Sequence, residues 1–125
     1  MSVDAVDVIA SETYPVTMAA IVRYAGASGD FTPIHYDPQD LAEAGYDRFF
    51  AMGMLVAGRL GALLARAFGD DAVRSFDVRF RQRSWVGNDV TVTLRHGDCP
   101  GQVELLATTT EGDVLATGCA TVAAG

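Results

Sequence analysis

The chain has 125 residues, half of them hydrophobic, which suits one domain that buries a core without disulfide bonds. A net charge of −7 argues against nucleic-acid binding, and the absence of lysine excludes Schiff-base, pyridoxal-phosphate and P-loop lysine chemistry. No segment approaches the roughly 20 apolar residues of a membrane span, and no signal-peptide pattern opens the chain. We therefore expect a cytosolic protein with a single domain over residues 1–125. We expect neither a membrane nor a nucleic acid as its partner.

Cysteine placement and motif searches exclude further classes. Cys99 lies in a Pro-Gly turn and Cys119 in a late strand pattern, with no Cys/His cluster spaced for zinc, so both are predicted to be free thiols. The chain has neither Gly-x-Gly-x-x-Gly nor Gly-x-Ser-x-Gly, which argues against dinucleotide binding and against a nucleophile elbow.

The N-terminal part of the chain predicts two helices joined by a loop. A short strand is expected near residues 14–16, and Thr17 is a suitable N-cap for a helix over 18–28 with apolar residues at helical spacing. The Asp-Pro pair at 37–38 predicts a second, short helix that ends at Gly45. The intervening loop is therefore expected to be held at both ends.

A long central helix is predicted over residues 53–68, the most hydrophobic part of the chain, with Gly69 as its C-terminal cap. Its charges, Arg59 and Arg66, fall on one stripe. Small residues along this helix are interpreted as core positions that allow close approach of a sheet or partner: Ala57, Gly58, Gly61, Ala62 and Ala65.

After this helix the pattern changes from helical to alternating. Strands are predicted near residues 76–83, 90–95, 103–109 and 114–122, with a turn at 111–113. In the first of them one face is apolar and the other charged: Phe76, Val78 and Phe80 against Asp77, Arg79, Arg81 and Arg83. One apolar helix followed by antiparallel strands predicts an α+β fold in which the sheet wraps the helix.

The stretch at 24–37, Tyr-Ala-Gly-Ala-Ser-Gly-Asp-Phe-Thr-Pro-Ile-His-Tyr-Asp, contains the candidate catalytic pair, Asp30 and His35. A carboxylate and an imidazole in an apolar wall can share a water or move a proton, and such a wall is expected to raise the carboxylate pKa. Each has an ordinary alternative, since Asp30 can close an Asx turn and His35 can be a solvated loop residue. The loop side chains beside them are Phe31, Pro33 and Ile34.

The whole string resembles the signature of MaoC-like (R)-specific enoyl-CoA hydratases and the related (3R)-hydroxyacyl-ACP dehydratases. In that family Ser-Gly-Asp-x-x-Pro-[Ile/Leu]-His precedes a second block reading Gly-Met, which is Ala-Met-Gly-Met-Leu at 51–55 here. The resemblance extends over about residues 24–89. It departs at Thr32, commonly Asn in the family, and at Met52, commonly His, so the hydrogen bonds that brace the loop are expected to differ.

The resemblance implies a hot-dog fold and reversible hydration of trans-2-enoyl thioesters to (R)-3-hydroxyacyl thioesters. Asp30 and His35 would hold one water between them, and the order of proton transfer stays open. Gly53 would supply an oxyanion hole, because the N–H at a helix start has no acceptor within the helix and lies at the positive end of the dipole. The family chemistry needs no metal and no organic cofactor.

The resemblance also implies a substrate carried on coenzyme A or acyl carrier protein, both anionic. Arg79, Arg81 and Arg83 are predicted to form a cationic ladder that can meet phosphates, although such ladders are often solvated or paired across strands. Acyl chain type and carrier are not determined by the sequence. The candidate substrate-binding residues are Ser28, Gly29, Phe31, Pro33, Ile34, Met54, Arg79 and Arg81.

Two alternatives share the predicted fold. A hot-dog thioesterase commonly has an acidic residue on the central helix, and 53–68 contains no Asp or Glu. An acyl-binding subunit of a heteromeric dehydratase would lack the catalytic pair, whereas this chain has both Asp30 and His35. Open strand edges predict at least a homodimer, with a related second subunit as the alternative partner.

Overall fold

The structure is a computed structural model that describes residues 7–123. Its helices are α1 (Met18–Ser28), α2 (Pro38–Glu43) and α3 (Gly53–Phe68), with a 3-10 turn at Pro33–His35. The strands in chain order are β1 (Val8–Pro15), β2 (Phe50–Ala51), β3 (Val73–Phe80), β4 (Ser84–Trp85), β5 (Asp89–His96), β6 (Gln102–Thr109) and β7 (Val114–Val122).

The strands form one large antiparallel sheet beside a small ladder. The large sheet has the order β1-β5-β6-β7-β3, and β2 pairs with β4 separately. Helix α3 packs across the inner face of the large sheet and contacts all five of its strands. The predicted α+β arrangement of a sheet wrapped around one hydrophobic helix is confirmed.

The core lies between α3 and the sheet. Leu60 and Leu64 on the helix are fully buried, as are the inward residues of β5. Those β5 residues are Val90, Val92 and Leu94, which confirms the apolar face predicted for this strand. Thr93, predicted on the other face, is also buried, with 7% of its surface exposed. Burial of large aliphatic side chains on both layers contributes about 1.5–3 kcal/mol for each of them relative to exposure.

The helix boundaries follow the predicted caps. Thr17 accepts a hydrogen bond from the Ala20 N–H at the start of α1, and Asp37 accepts one from the Gln39 N–H at the start of α2. Gly69 follows α3, and its N–H donates to the Ala65 carbonyl. No helix within 7–123 has the length and apolar character required to cross a membrane.

Strand β1 is longer than expected, since it begins at Val8 instead of Tyr14. Its alternation is hidden in the sequence by polar residues, and the strand is defined by its pairing with β5. Glu12 in this strand binds both Arg59 and Arg66, which confirms that the two arginines share one stripe of α3.

The prediction of a cationic ladder on β3 is wrong. The strand ends at Phe80, and the backbone N–H groups of Arg81 and Gln82 both donate to the Leu115 carbonyl. Of the three arginines of the predicted ladder, only Arg79 therefore lies on the strand. Phe76 and Phe80 remain 40% and 50% exposed because β3 is an edge of the sheet.

The small residues of α3 differ in their surroundings. Ala57 is buried in the core, as predicted, whereas Gly58 and Ala62 lie at the surface of the chain. The interpretation of these positions as core packing is therefore wrong for Gly58 and Ala62. They lie on the side of α3 that the chain's own sheet leaves uncovered.

Candidate active site

The candidate catalytic loop begins where α1 ends. Gly29 caps the helix with a φ of 78°, a left-handed conformation that favours glycine, and its N–H donates to the Ala25 carbonyl. The Ser28 hydroxyl then accepts a hydrogen bond from the Asp30 N–H at 3.0 Å. Ser28 and Gly29 thus set the path of the chain into Asp30.

The Asp30 carboxylate is fixed by Thr32. Its Oδ1 accepts the Thr32 hydroxyl at 2.6 Å and the Thr32 N–H at 3.1 Å, which forms an Asx turn. The Thr32 hydroxyl, then the Thr32 amide and, less strongly, the charge of His35 lower the pKa of Asp30. The expectation of a raised pKa is wrong because hydrogen bonds to the charged form outweigh the apolar neighbours.

His35 is held in one tautomer by the backbone. Its Nδ1 lies 2.9 Å from the Phe50 carbonyl oxygen, which can only accept, so Nδ1 donates this hydrogen bond and the neutral imidazole would present its lone pair at Nε2. The imidazole also packs edge-on against the Phe50 ring, with centroids 5.1 Å apart. His35 is partly buried and therefore has both a fixed orientation and an available basic nitrogen.

An aromatic cluster supports Phe50 and was not predicted from the sequence. Tyr46 and Trp85 contact the Phe50 ring at 5.4 and 5.6 Å between centroids. Arg83 lies over the rings of Tyr46 and Phe50, at 4.9 and 5.3 Å. The pair of phenylalanines directly before the Ala-Met-Gly block was the available sequence signal for this support.

Gly53 begins α3, and its N–H has no acceptor within the helix. The N-cap, Met52, provides no side-chain hydrogen bond to this end of the helix. An added Cβ at Gly53 would lie 3.2 Å from the Phe80 ring, so glycine allows β3 to approach the start of α3 closely. The helix terminus can therefore receive a ligand atom that carries negative charge.

A cavity of about 300 Å³ is lined by both His35 and the start of α3. Its wall includes His35, Gly53 and Arg81 from the predicted set, together with Phe50 and the unpredicted Ser84. Predicted residues that do not line this cavity belong to the motif loop or lie farther away: Ser28, Gly29, Asp30, Phe31, Pro33 and Ile34 on the loop, with Met54 and Arg79 elsewhere. The charge of His35 is the last of the causes that lower the pKa of Asp30, after the two hydrogen bonds from Thr32.

The remaining candidates are surface residues. Phe31 and Met54 are each 59% exposed, and Arg79 lines a separate depression on the sheet with Asp77 and Thr117. Within residues 7–123, no group of three or more His, Cys, Asp or Glu side chains is arranged to hold a metal ion.

Removal of the Thr32 hydroxyl is expected to raise the pKa of Asp30. In Thr32→Val the shorter of the two hydrogen bonds to Oδ1 is lost, so the charged carboxylate is less favoured. Because the folded pKa lies below the unfolded one, the carboxylate's contribution to stability is present above the unfolded value and declines as pH falls through the folded value. Carbon-13 NMR titration of Asp30 measures the shift, and an unchanged or lower pKa in the variant contradicts it.

A family model described as MaoC like domain matches residues 5–117. The chain therefore belongs to the MaoC-like domain family. The mitochondrial 3-hydroxyacyl-[acyl-carrier-protein] dehydratase of Arabidopsis thaliana is 28% identical over 79 residues, which cover 63% of this chain and 48% of that protein. The chain thus spans about half the length of this curated relative.

Solved structures show the hot-dog fold of MaoC-like proteins. An (R)-hydratase from A. caviae involved in PHA biosynthesis is 25% identical, with a TM-score of 0.80 and 93% of each chain covered. The R-hydratase PhaJ1 of Pseudomonas aeruginosa is 24% identical, with a TM-score of 0.79 over 92% of this chain and 78% of that one. The ChsH1-ChsH2 complex from Mycobacterium tuberculosis gives a TM-score of 0.82 at 19% identity, with all of both chains covered.

Proposed function

We propose that this protein is an enzyme that reversibly hydrates trans-2-enoyl thioesters of coenzyme A or acyl carrier protein to (R)-3-hydroxyacyl thioesters. The observation that carries the proposal is the orientation of the His35 ring: the Phe50 carbonyl holds its Nδ1, no group in residues 7–123 bonds its Nε2, and the ring lines one cavity with the N-terminus of α3. The printed names of the dehydratase and hydratase relatives support the same reaction class.

Asp30 and His35 have different roles in the proposed reaction. A carboxylate with a lowered pKa is a weak base, so Asp30 orients the water by accepting one of its hydrogen bonds. Nε2 of His35 takes a proton from that water as the hydroxide adds to C3, and the imidazolium returns a proton to C2. The balance is one water added across the double bond, with the histidine regenerated.

The Gly53 N–H stabilises the charge that develops on the thioester oxygen. A donor fixed at a helix start is already oriented before the reaction, so it needs no reorganisation when the negative charge appears. A single donor of this kind typically contributes about 3 kcal/mol to transition-state binding. Gly53 therefore supplies the charge stabilisation that the proposed hydration needs in addition to water activation by Asp30 and His35.

Hydration of crotonyl-CoA, or of a longer trans-2-enoyl-CoA, is expected to give only the (R)-3-hydroxyacyl thioester. One fixed pair of side chains delivers the water, so a single face of the double bond is attacked. Loss of enoyl-thioester absorbance measures the rate and chiral chromatography identifies the product. An (S) product, or thiol release without hydration, contradicts the proposal.

A thioesterase is a weaker candidate for this site. Helix α3 has no acidic side chain that would direct water to the thioester carbon. The same assay with a thiol reagent separates the two reactions, because hydration leaves the thioester bond intact.

We propose a second copy of the chain as partner, with a related subunit as the alternative. Edge strand β3 exposes Phe76 and Phe80, and α3 exposes Met54. An unpaired apolar edge favours pairing with another chain, and a two-fold interface removes it from solvent. The similar ChsH1-ChsH2 structure is a complex of two different chains.

Light scattering at micromolar concentration is expected to give at least twice the 13.2 kDa monomer mass. Phe76→Glu is expected to shift the protein toward monomer, because it places a charge on the apolar edge of β3. A fully active wild-type monomer contradicts the homodimer, and activity that requires a related chain supports the heteromer.

A further inference from the structure

The cavity beside His35 contains a buried hydroxyl with no partner. Ser84 is 4% exposed, and its Oγ has no hydrogen-bond partner within residues 7–123. Ser84 lies opposite Ala51 in the β2–β4 ladder, and both residues line the cavity. A buried unpaired hydroxyl is costly. The Ser84 Oγ is itself shielded from solvent, so a change of side-chain rotamer would be needed to present it to an acceptor atom in the cavity.

The same wall carries two guanidinium groups. Arg81 and Arg83 line the cavity, and no Asp or Glu of the described chain does. Arg83 is fixed over the Tyr46 and Phe50 rings, whereas the Arg81 side chain has no partner in 7–123. In a chain of net charge −7, several other arginines are engaged with acceptors: Arg48, Arg59, Arg66, Arg74 and Arg95.

The position of these donors determines which part of the substrate can supply the anionic group that they bind. They share a cavity of about 300 Å³ with His35 and Gly53, where the reacting carbons and the thioester oxygen would lie. In coenzyme A and acyl carrier protein a whole pantetheine arm separates the sulfur from the nearest phosphate. A charged group on a short acyl chain lies within the cavity, whereas the carrier phosphate lies beyond it.

We propose that the preferred substrate is a short enoyl thioester whose acyl group ends in a carboxylate, held by Arg81, Arg83 and the Ser84 hydroxyl. This inference rests on the proposed hydratase function and specifies its substrate class. Guanidinium groups bind carboxylates through charge-assisted hydrogen bonds, and a site with unpaired donors disfavours a plain alkyl chain of the same length.

Binding of unreactive saturated thioesters tests the proposal without catalysis. Glutaryl-CoA and valeryl-CoA have the same number of acyl carbons and differ in the terminal carboxylate. Calorimetry is expected to show glutaryl-CoA bound roughly tenfold or more tightly, in line with hydrogen bonds to a charged group. Arg81→Gln should remove most of this preference, and Ser84→Ala should reduce it without lowering the melting temperature, because the hydroxyl has no protein partner to lose.

Arg74→Gln is the matched control, since Arg74 lies at the other end of β3 and donates to the Asp71 carbonyl. It removes the same charge and should leave the preference intact. Equal affinity for the two ligands in the wild type overturns the proposal. An equal loss of affinity for glutaryl-CoA and valeryl-CoA in Arg81→Gln also overturns the proposal, because it would assign this arginine to the carrier phosphates.

Turnover of glutaconyl-CoA and trans-2-pentenoyl-CoA separates this proposal from the proposed function. Hydration of both without a carboxylate preference overturns the substrate class and supports the hydratase. A carboxylate preference in binding, with neither compound hydrated, supports the anion site and overturns the hydratase. A carboxylate preference in both binding and turnover supports the proposed substrate class and the proposed hydratase function.

Discussion

Asp30→Asn and His35→Ala are each expected to lower the hydration rate about a hundredfold or more. The amide introduced by Asp30→Asn would keep an oxygen for the Thr32 hydrogen bonds but lose the charge that orients the water. The change His35→Ala would remove Nε2, the proposed base. Initial rates with crotonyl-CoA measure the effect, and circular dichroism checks that the fold is retained.

The second histidine provides the matched control. His96 is exposed at the end of β5 and does not line the His35 cavity, so His96→Ala should retain the wild-type rate. More than about a tenth of the wild-type rate in either Asp30→Asn or His35→Ala would discard the assignment, given the usual size of general acid–base effects.

Gly118→Ala is expected to destabilise the protein by about 1–3 kcal/mol or more. An added Cβ would lie 2.1 Å from the Asp77 carbonyl oxygen, in the backbone of the neighbouring strand β3. The two strands would have to separate, because backbone atoms cannot move aside as a flexible side chain can. Urea denaturation measures the loss of stability.

Activity should fall together with stability in Gly118→Ala. Strand β3 holds Phe80 against Gly53, and both residues line the cavity, so a shifted strand changes the cavity wall. Gly26→Ala is the control, because Gly26 is exposed in α1 with nothing within 4 Å of an added Cβ. That change should be neutral or stabilising by about 0.4–1 kcal/mol. If Gly118→Ala were as stable as Gly26→Ala, β3 would tolerate being displaced by the added methyl group, which contradicts the prediction.

Local signals in the sequence determined the helices and their ends. Thr17, Asp37 and Gly69 specify helix termini through hydrogen bonds within a few residues, so their roles are readable without the fold. The hydrophobic run of α3 and the alternation of β5 likewise determined which faces are buried. The motif containing Asp30 and His35 indicated the family, which the match over residues 5–117 confirms.

The tertiary structure decided the state of each candidate catalytic group. The tautomer of His35 depends on the Phe50 carbonyl, which is distant in sequence and reaches it only through the fold. Thr32 is local to Asp30, but whether its hydroxyl or an apolar neighbour controls the carboxylate pKa depends on side-chain geometry. Sequence spacing carries no information on either choice.

The tertiary structure also decided which arginines line the cavity. Alternation of residue types placed Arg79, Arg81 and Arg83 on one strand face, but the hydrogen bonds of Arg81 and Gln82 to the Leu115 carbonyl end β3 and turn the chain toward His35. Ser84 became visible only there, as a buried hydroxyl without a partner in the described chain. Strand ends and burial depend on neighbours distant in sequence, whereas helix caps and periodicity are set by residues within one or two turns.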